Sequence, residues 1–159
     1  MLNEKILERL DELQGQDDPQ KYNEFIEWLF IDESEKLDLE ALEMSDIPLI
    51  CRMFHDKCSY FGITFDIIHI IEGIPKNLEE VPDYLYNVAI SIPKMKNAQD
   101  WADTIVIRIL NSPEWSEEFA KVVPKLDEDS KSAVIQLLET MRNDEYEKDA
   151  ADDFLKQLS

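Results

Sequence analysis

Cys51, His55 and Cys58 recur at i, i+4 and i+7, the spacing of one helix face. Thiolate and imidazole are good zinc ligands, and His69 would offer a fourth. Common zinc motifs, however, place paired cysteines about two to four residues apart. Cys51 and Cys58 also fall on the apolar stripe that runs through Phe54, where a cysteine behaves as a small hydrophobe. They read as two buried thiols beside a boundary histidine, and no metal or other cofactor is expected. Cys51 and His55 are also spaced for a thiol–imidazole pair. Neither an oxyanion hole nor an orienting carboxylate accompanies them, since Asp56 falls on another face.

Carboxylates are the commonest chemical group, with 36 Asp and Glu against 16 Lys and Arg. Acid–base catalysis needs two carboxylates in environments that separate their pKa values. Adjacent pairs such as Asp32-Glu33, Glu79-Glu80, Glu117-Glu118 and Asp152-Asp153 arise by chance at this density and sit beside turns or on polar faces. The chain has no Gly-rich phosphate loop, nucleophile elbow or EF-hand pattern, so enzymatic activity is not expected.

The remaining chemistry is recognition, in which aromatic rings anchor and carboxylates pair with Arg or Lys of a partner. Trp101 and Trp115 lie on apolar stripes and read as core. Tyr84 and Tyr86 stay open between core and surface. Two stretches qualify as partner-binding candidates. One supplies Asp32, Glu33, Glu35 and Asp38; the other supplies Glu79, Glu80, Asp83, Tyr84 and Tyr86. The second is the stronger, because Pro82 stiffens it and both tyrosines cannot share the Leu85/Val88/Ile92 stripe.

The elements that hold these residues all read as helices. Ile6, Leu10 and Leu13 mark the first, and Asp17-Asp18-Pro19 opens a second through Tyr22, Phe25, Ile26 and Leu29. Leu37, Leu39, Leu42 and Met44 permit a short helix in the acidic stretch. Asp46 is expected to cap a helix from Ile47 through Cys51, Phe54, Cys58 and Phe61 to a stop at Gly62. The isoleucines of ITFDIIHIIEG would suit a strand, but Ile63, Ile67, Ile70, Ile71 and Ile74 keep helical spacing, which predicts a buried helix. Leu85, Val88, Ala89 and Ile92 form another stripe before Pro93.

Residues 97 to 142 are the best punctuated. Trp101, Ala102, Ile105 and Ile109 share a face, and Asn111-Ser112-Pro113 stops that helix. Ser112 is expected to cap the next helix, with Pro113 at its first position. Trp115, Phe119, Val122 and Val123 follow, then Pro124, then Val134, Leu137, Leu138 and Met141 behind Asp127 to Ser130. Ala151, Phe154, Leu155 and Leu158 suggest a terminal helix. The expected architecture is all-α, an antiparallel stack of about nine helices, solenoid-like or an irregular bundle. One domain spanning 1–159 is expected, since no linker rich in Gly, Ser or Pro divides the chain.

The net charge of −20 disfavours nucleic acid and anionic membranes and favours a basic protein partner. The same charge would also serve simply to keep a surface solvated. MLNEKILERLDEL lacks the apolar run of a signal peptide, and the two cysteines suit free thiols, which together suggest a cytoplasmic protein.

DWADTIVIRILNSPEWSEEF, followed by a second amphipathic helix, resembles the C-terminal half of all-helical immunity proteins of bacterial polymorphic-toxin and contact-dependent inhibition systems. The resemblance is to immunity protein family 30. It rests on Trp101, the turn from Ile109 to Ser112, Phe119 and the Leu137-Leu138 pair, in roughly the last third of the chain. It implies a non-enzymatic protein that binds the toxin domain of a secreted effector, with an acidic surface covering a basic active site such as that of a nuclease. A helical adaptor without a toxin partner is the alternative, and a small metal enzyme using Cys51, His55 and Cys58 is a third.

Overall fold

The computed structural model describes residues 1–32 and 37–159. Among them are nine α-helices and no strand, as an all-α fold requires. They are α1 (Glu4–Leu13), α2 (Pro19–Ile26), α3 (Ile47–Ile50), α4 (Phe61–Glu72), α5 (Val81–Ser91), α6 (Gln99–Leu110), α7 (Pro113–Val122), α8 (Glu128–Met141) and α9 (Lys148–Leu158). A π-helical turn, Glu27–Ile31, extends α2.

Local capping starts several of these helices. Asn3 accepts from the Ile6 amide at 2.9 Å, Asp18 from Gln20 at 3.0 Å and Asp127 from Ser130 at 2.8 Å, each satisfying an amide that the helix leaves unpaired. Gly15, with φ of +78°, turns the chain after α1 in a conformation that side chains resist. Ser112 holds the capping position before α7, but its side chain makes no cap bond, and Pro113 starts the helix without one. Asp46 does not cap α3 either. Its buried carboxylate accepts from the amides of Leu2 at 3.1 Å and Glu43 at 2.8 Å.

The centre of the molecule is α5. Val81, Tyr84, Leu85, Val88 and Ala89 are all buried, so its apolar stripe is broad. α3, α7 and α8 pack around it. α5 meets α3, two helices before it, and α7 and α8, two and three after it, as neighbouring layers of a helix stack do. α6, α7, α8 and α9 close against one another, with Phe119 stacked on Phe154 at 5.3 Å between ring centres.

The expected long helix from Ile47 to Gly62 does not form. α3 ends at Ile50, a single 3₁₀ turn covers Cys51–Met53, and the chain turns extended at Phe54. Gly62 lies inside α4 rather than ending a helix. Bonds to a distant element outweigh helix continuation here. The Asp56 amide donates to Asn97 O at 2.9 Å, and the Trp101 indole donates to His55 O at 3.2 Å. The Asp56 carboxylate accepts from the amides of Asp100 and Trp101 at 3.1 and 3.3 Å. It thus caps α6, whose own cap residue, Ala98, has no side-chain oxygen. The acidic stretch also differs from expectation. Its described part holds two 3₁₀ turns, Leu39–Ala41 and Met44–Asp46, instead of an α-helix. The isoleucine-rich segment is helical as predicted, with Ile67, Ile68 and Ile71 buried.

Two substitutions measure this packing. Phe119→Ala, in a fully buried ring pair, should cost about 3–5 kcal/mol in urea unfolding. Asp56→Ala should cost about 1–2 kcal/mol by leaving the first amides of α6 uncapped. A cost below a few tenths would show that water replaces the carboxylate without loss.

Candidate functional site

The cysteine–histidine group is dispersed by the break after Met53. Cys51 is buried, and burial pushes its thiol up to about 12, so at neutral pH it stays protonated and poorly nucleophilic. Cys58 is partly buried and accepts from the Thr64 hydroxyl at 3.8 Å. Both ring nitrogens of the buried His55 are engaged: Nδ1 accepts from the Lys57 amide at 3.0 Å, and Nε2 lies 3.2 Å from Asp17 O. His69 is exposed on α4, edge-on to Phe65. Among the described residues no three His, Cys, Asp or Glu side chains gather to hold a metal. His55 instead joins the α2 entry, Tyr22 and Trp101.

The acidic candidates are distributed unevenly. Asp32 and Asp38 are exposed, whereas Glu33 and Glu35 lie outside the described residues. In the second stretch, Glu79 is exposed. Glu80 bonds the Lys76 amide at 2.6 Å, and Asp83 accepts from the Asn87 side chain at 3.1 Å. Tyr84 is a correction. It is 1% exposed, with its ring 4.9 Å from Trp115. Its spacing from Val81 and Val88 places it at the edge of the same buried stripe, which α7 covers with Trp115. Tyr86 stays outside at 43% exposure. Trp101 is buried, and Trp115 is half-buried against Tyr84.

An apolar groove is the feature that sequence reasoning missed. Leu29 and Phe30 of the π-turn, Leu37 and Leu39 beyond it, and Ile63, Asp66 and Ile70 of α4 line a groove of about 410 Å³. Leu39 is 53% exposed, and Ile31, beside Phe30, is 50% exposed. A signal was available in α4, which is apolar on nearly all sides although it lies at the surface. The three leucines from 37 to 42 instead suggested an inward helix face.

Asp103 on α6 meets Glu147 at the start of α9. Asp103 Oδ1 and Glu147 Oε2 are buried and, among the described residues, have no hydrogen-bond partner. Burial first, then the charges of Glu147, Asp100 and Asp144, push the Asp103 carboxyl up to about 7; Glu147 is also raised, chiefly by burial. A raised carboxyl binds its proton more tightly in the folded state than in the unfolded one. Its stabilisation is full below the ordinary carboxylate range and is lost as pH rises through about 7. The site is only partly buried, so solvent screens much of the repulsion. Asp103→Asn should therefore raise Tm at pH 8 by about 2–4 °C, the effect of roughly 1 kcal/mol in a chain of this size. The gain should vanish near pH 4. A gain that is equal at both pH values would exclude the carboxyl pair as its source.

No described helix is long and apolar enough to cross a membrane. No curated protein and no solved structure matches the chain. The family model described as Immunity protein 30 matches residues 9–119. That span begins in α1 and reaches Phe119 of α7, so it is wider than the C-terminal resemblance and lies mostly before it. Trp101, the Ile109–Ser112 turn and Phe119 fall inside it, and Leu137-Leu138 fall outside. With most of its helices under one family match, the chain belongs to the Immunity protein 30 family.

Proposed function

We propose that this protein is the non-enzymatic antidote to a bacterial toxin domain, acting in the cytoplasm, with residues 1–159 forming one domain. The family match over residues 9–119 is the observation that carries this reading. The net charge of −20 supports a basic partner. A toxin that cleaves nucleic acid must attract phosphate, and its site then also attracts a carboxylate-rich surface. Opposite charge steers the two together and shortens the time before capture. Coverage of the toxin's active site by that surface would exclude its substrate. The buried thiol of Cys51 and the fully engaged ring of His55 support structural roles for the residues that most resembled a catalytic group.

Co-expression tests the proposal. The probe is the C-terminal domain of the secreted effector encoded beside this gene. Cells producing both proteins should grow, and the purified pair should elute as one complex. Raising salt from about 0.05 to 0.5 M should slow association much more than it speeds dissociation. Death of cells that contain ample folded protein would reject the proposal.

A further inference from the structure

We propose that the groove between the π-turn after α2 and the outer face of α4 is the docking site for an aliphatic or aromatic side chain carried on a basic segment of the toxin domain. This inference rests on the antidote reading and deepens it by naming the surface.

Three observations converge on the groove. First, its walls are apolar except for one exposed acid: Leu29, Phe30, Leu39, Ile63 and Ile70 surround Asp66. Interfaces draw most of their affinity from such small desolvated pockets that receive a protruding side chain. Second, the described charged residues at and beside its lining are acids. Asp32 follows Ile31, Asp38 precedes Leu39, and both are exposed; among the described residues no Lys or Arg lines the groove. A neutral or acidic segment gains nothing from that rim, whereas a basic one gains at each carboxylate. A second copy of this chain, itself at −20, would bring like charges together. Third, the competing acidic stretch is depleted. Tyr84 is buried there, and Glu80 and Asp83 are bonded within their own turn.

Calorimetry with a catalytically inactive form of the neighbouring effector's C-terminal domain tests the assignment. The variant Leu39→Asp with Asp66→Lys changes two exposed side chains, and circular dichroism and Tm verify its fold. It should weaken binding by about 100-fold, mostly through faster dissociation. Charge reversal of Glu79, Glu80 and Asp83 to Lys should change affinity by less than about threefold. Leu39→Met, which keeps the apolar wall, should bind like the wild type. Wild-type binding that survives the groove variant within about threefold would overturn the docking site while leaving the antidote reading intact. Sedimentation showing a wild-type dimer that Leu39→Asp dissolves, with toxin affinity unchanged, would overturn it in favour of self-association. Absence of any binding by the wild-type protein would reject both proposals.

Discussion

A helix with more apolar surface than one neighbour can cover must be surrounded, and α5 imposes that constraint on everything else. Its buried side chains face α3, α7 and α8 in different directions. Its polar residues are resolved within the helix: Asn87 donates to Asp83 O at 2.8 Å, and Ser91 donates to Asn87 O at 2.6 Å. These bonds satisfy much of the polarity of both residues within the helix, and Ser91 also meets the Cys51 thiol. The surrounding helices then turn their charged faces outward. The strongly negative exterior follows from this layout, since few basic residues are present to balance it.

The C-terminal helices were legible because local chemistry specified them. Asp127 and its bond to Ser130, Pro113 at a helix start and the spacing of Val134, Leu138 and Met141 act within one or two turns. The segment from Cys51 to Tyr60 was not legible for the opposite reason. Its apolar spacing suits a helix, but its conformation is set by bonds to residues 97–101, which no local pattern reports. Tyr84 is ambiguous in sequence because it sits at the edge of the Leu85/Val88 stripe, and only the covering α7 decides that it is buried while Tyr86 is not. The groove is hidden in the sequence because the spacing of Leu37 and Leu39 permits a short helix, whereas Leu39 starts a 3₁₀ turn and both line an open wall.

Residues 9–119 carry the family match but do not complete the core. Phe119 stacks on Phe154 of α9, and α8 packs against α5, α6 and α9. The two last helices thus cover apolar surface that the matched span alone would leave wet. Arg108 and Glu72 add a paired link between α6 and α4, at 2.8 and 3.2 Å, beside the aromatic row of Phe61 and Phe65. That link braces α4, the helix that forms one wall of the groove, against the C-terminal half of the molecule.

The carboxylate of Asp56 that completes the start of α6 lies 44 residues upstream of the amide it receives. Synthesis is directional, so the cap leaves the ribosome before the helix that needs it. Closing a loop of that length carries an entropic cost of only a few kcal/mol that grows slowly with separation. A cap worth about 1–2 kcal/mol does not offset that closure alone, so the seam at α6 depends as well on packing across it, such as Phe54 against Trp101 at 5.7 Å between ring centres.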